Sequence, residues 1–283
     1  MDFKRIQILL VCFFVIFNLY LVYTISEGVS GISVNPGSTA DTITIEEELN
    51  NRGVTFENFS DDRPEVNLLK SDQNNYLAEN ISQLTEQNAS IDSQRVLTST
   101  FNQPIELGIG ITQETTVITP EQFAYLQENL LSDASLFIQG ASYPNYVYIP
   151  SERVIVLRMT DGDGNRIIDG TAELTLQLNE DYMLTSYVQT YQANISQLST
   201  TIEMISEKTA VEILDRRVET LIPDDAQILA TNISYYSSSI LNDMNVYSPA
   251  WEFIYVEESG TTRSLLVDGQ RGTVLNRNTL TYN

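Results

Sequence analysis

The sequence predicts an α+β protein: a single N-terminal transmembrane helix followed by an ectodomain of two α+β domains with antiparallel sheets. Three observations predict it. Residues 6–25 form a twenty-residue, mostly apolar stretch straight after Met1-Asp2-Phe3-Lys4-Arg5. Beyond it, an amphipathic helix followed by alternating strand patterns occurs twice in succession. Short turn signals such as Asp161-Gly162-Asp163-Gly164-Asn165 join neighbouring strands, which makes them antiparallel.

At ~1.5 Å per residue the apolar stretch spans ~30 Å, enough to cross a bilayer as a helix. Lys4 and Arg5 keep the short tail, residues 1–5, in the cytoplasm, and Tyr20 and Tyr23 fall where an outer aromatic belt lies. A cleaved signal peptide has an apolar core of ~7–15 residues and a small-x-small site. Here the stretch is longer, and Gly28-Val29-Ser30 is a poor site, so an uncleaved anchor is expected over 6–25. Cys12 lacks the neighbouring small residues of a lipid-attachment box. The protein is therefore expected in the cell membrane as a single-pass chain with its C-terminal part extracellular. Residues 26–43, rich in Gly, Ser, Thr and Pro, read as a flexible stalk.

Thr44 with Glu47 makes a capping box for a short helix stopping at Gly53. Residues 61–94 are polar and weakly periodic, with a helix near 74–84, and 96–111 alternates as a strand. Thr119, Pro120 and Gln122 open a second helix, with Phe123, Leu126 and Leu130 as its apolar stripe and an end near Leu131. Strands follow at 154–159, at 172–178 and at 182–191. In the second, Ala172, Leu174, Leu176 and Leu178 alternate with polar residues, as in a half-buried strand. Ser206 caps a helix carrying Val211, Leu214, Val218 and Leu221 on one face and closed by Pro223. Three strands close the chain, at 228–236, 250–257 and 263–268. The domains expected are 44–198 and 199–283.

Composition excludes much chemistry. The chain has no His, and its single Cys lies in the apolar stretch. Disulfides within the ectodomain, His- or Cys-based zinc sites, Ser-His-Asp triads and Cys-His pairs are ruled out. The ectodomain lysines, Lys70 and Lys208, have Asn67 and Ile205 three places earlier, where a Ser-Lys dyad wants Ser. No enzyme, catalytic residue, cofactor or metal is expected. Beyond residue 25 stand 13 basic against 37 acidic side chains, net −24, a field that repels nucleic acid and anionic lipid.

Three constellations invite a functional reading. Asp161, Asp163 and Asn165 match the first ligand positions of a calcium loop, but Arg166 and Ala172 stand where Gly and Glu belong, which favours a hairpin turn. Trp251, Phe253 and Tyr255 share one strand face, read as core in preference to a binding surface. Asn18 lies within the apolar stretch, with Val11, Phe14 and Leu21 on its face. It either hydrogen-bonds across a helix interface, worth ~1 kcal/mol, or is wetted near the outer leaflet.

The opening Met1-Asp2-Phe3-Lys4-Arg5, the anchor with Asn18 late in it, and an acidic ectodomain of this size resemble the YycI family. That family is associated with the WalK–WalR (YycG–YycF) two-component system of low-GC Gram-positive bacteria. A weaker likeness lies in the C-terminal half. The helix at 207–221, Pro249-Ala250-Trp251-Glu252-Phe253, and 266–274 resemble the helix and hairpin of PepSY-like modules. The YycI resemblance implies a non-catalytic regulator of two-component signalling that controls cell-wall metabolism. The partners it implies are the transmembrane region of a sensor histidine kinase and a YycH-like accessory protein, met in the membrane through Val11, Phe14, Asn18 and Leu21. Two other readings stay open: a PepSY-type inhibitor of an extracytoplasmic protease, and a carboxylate-dependent cell-wall hydrolase.

Overall fold

The computed structural model describes residues 43–217, 221–241 and 244–275, together with Phe14 and Asn18. Stalk residues 26–42, Cys12, Val11, Leu21, Val218 and all but two residues of the expected membrane helix lie outside the described residues. Among the described residues, no helix is long and apolar enough to cross a membrane.

Residues Thr44–Asn283 make one compact α+β unit, mostly antiparallel sheet. Its first helix, α1 (Ile45–Asn51), begins where Thr44 Oγ1 accepts the Glu47 amide at 3.3 Å and Glu47 accepts the Thr44 amide at 3.2 Å. The helix buries Ile45 and Leu49 and ends before Gly53, at φ +75°. Strand β1 (Glu65–Asp72) and the short helix α2 (Tyr76–Asn80) follow, then strands β2 (Gln87–Ile91) and β3 (Leu97–Ile105). β1 and β2 lie inside the stretch read as polar and weakly periodic. Lys70 and Ser71 interrupt the apolar alternation of β1, and Ser71 is nonetheless buried in a hydrogen-bonded setting.

The second expected helix, α3 (Pro120–Leu126), carries the Thr119–Gln122 capping box, with bonds of 2.9 and 3.3 Å. It widens into a π turn at Gln127–Leu131. Leu130 and Leu131 are both buried there, extending the apolar stripe of Phe123 and Leu126.

Strands β4 (Asn145–Ile149), β5 (Val154–Arg158), β6 (Arg166–Ile167), β7 (Glu173–Leu178), β8 (Leu184–Gln189) and β9 (Ala193–Glu203) come next. Strand β7 differs from the half-buried expectation: Glu173 and Thr175, on its polar side, are buried too. The reason is local pairing. Glu173 Oε2 lies 3.2 Å from Arg158 Nε, and Thr175 Oγ1 donates to Glu173 Oε1 at 3.3 Å.

Helix α4 (Glu207–Asp215) is capped by Ser206, which accepts the Thr209 amide at 3.2 Å, and it buries Ala210, Val211 and Leu214. It stops well short of Leu221, which is exposed instead of continuing the apolar face. The Arg52 guanidinium holds this end, bonding Asp215 at 2.5 Å, Asp224 at 2.9 Å and the Ile222 carbonyl. Asp224 and the Ile222 carbonyl, two acceptors from the following segment, are held to the same guanidinium as helix residue Asp215, which favours a chain turned back towards Arg52 over a longer helix.

Strands β10 (Gln227–Leu241) and β11 (Met244–Val256) form a long hairpin, followed by β12 (Thr262–Asp268) and β13 (Val274–Leu275). One sheet runs β2-β3-β8-β7-β5-β4, wholly from chain before Ser199. The other runs β13-β12-β11-β1-β9, with β10 on the far edge of β11 and β6 parallel to β10. It combines the C-terminal strands with β1, β6 and β9.

Two cores result. One packs α3 and its π turn against the six-stranded sheet and reaches Leu69, Tyr235 and Tyr247 of the other. The second packs α1 and α4 against Trp251, Phe253, Tyr255 and Val267. Tyr247, Trp251, Phe253 and Tyr255 share one face of β11 by the period of two, so this strand feeds both cores along its length.

Candidate functional site

Where the two sheets exchange chain, five separate segments enclose a groove of about 440 Å³. Gln73 and Asn74 come from the end of β1, and Gln94 and Arg95 from the β2–β3 turn. Asp169 and Thr171 sit on the β6–β7 loop, Tyr191 and Gln192 between β8 and β9. Ser237, Ile240 and Asn245 come from the outer part of the β10–β11 hairpin.

The floor is a connected polar network. Gln192 Oε1 accepts Ser71 Oγ at 2.7 Å and Asn245 Nδ2 at 2.8 Å, while its Nε2 donates to the Thr171 carbonyl at 2.9 Å. The Tyr247 hydroxyl lies 3.2 Å from Ser71 Oγ and 3.3 Å from Thr171 Oγ1. Thr171 Oγ1 donates to Asp169 Oδ1 at 2.6 Å, and the Ser237 amide donates to Asp169 Oδ2. Burial pushes the Tyr247 phenol up to about 12, against the opposing pull of its bonds to Ser71 and Thr171. A network satisfied this fully is rigid.

The rim is looser. Gln73 is held by two long bonds of 3.4 Å, one to Asn245 Oδ1 and one from the Arg95 guanidinium. Arg95 itself sits at φ +64° at the tip of its turn, exposed. Tyr191 packs one side of its ring on Tyr76 at 5.3 Å, and burial raises its phenol.

None of these residues is marked in the sequence. They come from five separate segments, and most are ordinary polar residues of loops and strand ends; proximity alone makes them a site.

Of the residues singled out by sequence, Phe14 and Asn18 are helical, Phe14 is exposed, and Asn18 Nδ2 donates to the Phe14 carbonyl at 2.8 Å. One N–H of the Asn18 amide is thus used along its own helix. The Asp161 run is a turn between β5 and β6, closed by the bridge of Thr160 to Arg166. Asp161 Oδ1 accepts the amides of Asp163 at 3.0 Å and Asn165 at 2.8 Å, so the carboxylate serves the turn. Trp251, Phe253 and Tyr255 are buried, and Trp251 Nε1 donates to the Ile205 carbonyl at 2.9 Å. Lys208 Nζ pairs with Glu46 at 2.8 Å, tying α4 to α1. Among the described residues, no group of three His, Cys, Asp or Glu side chains converges as a metal would require.

The fold is a mostly antiparallel two-sheet unit with a polar groove at its seam, and the family assignment adds what the geometry alone does not carry. The model of the YycI protein family matches residues 32–269, and the chain belongs to that family. The family is one of regulatory accessory proteins of the WalK (YycG) system. No curated protein sequence matches the chain. Among solved structures, an uncharacterized protein from Eubacterium rectale ATCC 33656 is similar at 10% identity and TM-score 0.41, over 79% of this chain and 89% of that one. The C-terminal domain of YpeB from Bacillus megaterium is similar at 9% identity and TM-score 0.39, over 67% and 80%. Likenesses this distant carry no argument about function.

Proposed function

We propose that this chain is a non-catalytic, membrane-anchored regulator that binds a WalK-like sensor histidine kinase together with a YycH-like partner and modulates signalling that controls cell-wall metabolism. The family match over residues 32–269 carries this reading. The apolar stretch at 6–25 and the flanking Lys4 and Arg5 support an anchor with its N-terminus cytoplasmic and residues 44–283 outside the cell.

The contact with the kinase runs through the membrane helix, on the face of Val11, Phe14, Asn18 and Leu21. A carboxamide offers two N–H groups and an acceptor oxygen, so the bond to Phe14 leaves Asn18 further capacity for a neighbouring helix. To regulate, the protein must bind one signalling state of the kinase better than the other, a difference of ~1–3 kcal/mol in typical coupling.

Crosslinking the full-length protein in its native membrane and identifying partners by mass spectrometry tests the reading. Recovery of a sensor histidine kinase with a second single-span protein supports it. Recovery of a protease, or of wall fragments alone, refutes it in favour of an inhibitor or a hydrolase. Asn18→Leu should weaken kinase recovery by roughly fivefold, as the loss of one interhelical hydrogen bond of ~1 kcal/mol requires. Exchange of residues 6–25 for an unrelated helix should abolish recovery; unchanged recovery defeats the membrane-contact mechanism.

A further inference from the structure

We propose that the groove at the seam of the two sheets binds a neutral saccharide of one or two rings. Its size fits: about 440 Å³ is within the range of small-molecule sites, ~300–1,000 Å³.

The chemistry of the lining selects the class. A sugar hydroxyl donates one hydrogen bond and accepts others at nearly the same point. The side chain that answers both demands is a carboxamide, with N–H donors beside a carbonyl acceptor. Gln73, Asn74, Gln94, Gln192 and Asn245 place five carboxamides around one groove, beside Thr171. The floor members are locked by the bonds of Gln192 and Asn245 at 2.7–2.9 Å. The rim members Gln73 and Gln94 are the adaptable ones: Gln73 has only 3.4 Å bonds, and Gln94 is exposed. A rigid floor with a loose amide rim limits the ordering cost to a few side chains.

Charge disfavours an anion, and pairing disfavours a peptide added to β1. Arg95 and Asp169 bring one charge of each sign, and Asp169 is already bonded to Thr171 and to the Ser237 amide. The groove is therefore close to neutral, within a chain whose net charge of −23 repels anions. A peptide would be held by a free strand edge. Here β1 is paired on both sides, by β9 and β11, and the Ser237 amide of β10 is taken by Asp169. With Gln192, Asn245, Asn74 and Thr171 bonded within the protein, the rim amides of Gln73 and Gln94 are what the groove has to offer, over a shaped polar floor.

Saturation-transfer NMR on the full-length protein, in a detergent without a sugar headgroup, tests this with cellobiose, maltose, N,N′-diacetylchitobiose and tri-alanine as probes. Transfer to the ring protons of at least one disaccharide is expected. The double variant Gln73→Ala/Gln94→Ala should bind it roughly tenfold more weakly, the loss of two rim hydrogen bonds, with an unchanged unfolding midpoint. Ile240→Trp, at an exposed position on the opposite wall, should block the groove by bulk and give a similar loss. No transfer to any disaccharide, transfer to tri-alanine alone, or disaccharide binding that survives both variants would overturn the proposal.

Discussion

Glu173→Gln should be among the most damaging single substitutions in the folded unit, although it changes almost no volume. Glu173 and Arg158 are both buried, with Oε2 and Nε 3.2 Å apart. At that separation and an effective dielectric of about 20, Coulomb's law gives roughly 5 kcal/mol of attraction, which offsets the cost of desolvating both groups. Arg158 also repels Arg166, the half-buried neighbour that pairs with Glu252 at 2.8 Å. Removing the Glu173 charge leaves Arg158 unpaired beside a like charge, and a guanidinium stays protonated under all ordinary conditions. The expected loss is ~3–5 kcal/mol, a third or more of the stability of a typical domain. Arg158→Met/Glu173→Leu, which removes both charges, should cost ~1 kcal/mol or less. Urea unfolding of residues Thr44–Asn283, followed by the fluorescence of the single tryptophan Trp251 and by circular dichroism, measures both. A single-variant loss under ~1 kcal/mol, or a double variant less stable than the single, would refute the argument that the pair matters through its desolvated charge.

Other consequences follow from the same cores. Tyr247 holds its proton up to about 12, whereas an unfolded tyrosine releases it near 10, so folding loses stability as pH rises through that interval. Tyr247→Phe should make alkaline unfolding less steep by about one proton while costing ~1 kcal/mol at neutral pH through the lost bonds to Ser71 and Thr171. An unchanged alkaline slope would contradict this. In Gly140→Ala the new Cβ would sit 2.4 Å from the Leu131 carbonyl oxygen, a backbone atom, so the thermal midpoint should drop by an amount equivalent to ~1–3 kcal/mol. Trp251→Ala should cost ~3–5 kcal/mol by emptying the centre of the second core, and a loss below ~1 kcal/mol would mean that the aromatic row is not core.

The parts legible in the sequence are those governed by neighbours along the chain. The capping boxes at Thr44 and Thr119 and the cap at Ser206 are local hydrogen bonds between residues three apart, and all three form where their spacing implies. The Asp161 turn is equally local. The aromatic row of β11 declares its burial through its period of two. Illegible were strands whose polar residues are satisfied by distant partners. Ser71 on β1 depends on Gln192 and Tyr247, and Glu173 on β7 depends on Arg158 across the sheet. Helix α4 ends early for the same reason, since Arg52 draws the following loop to itself from far along the chain.

The sequence by itself determined the α+β class, the exclusion of histidine and cysteine chemistry, the acidic field and the membership of the YycI family. All of these follow from residue identity and short-range order. Only the tertiary structure decided that β1 and β9 join the C-terminal hairpin in one sheet, and that five unremarkable loops close around a single groove. The physical reason is that a buried polar group must find a partner wherever the fold can supply one, and sequence distance does not enter that requirement.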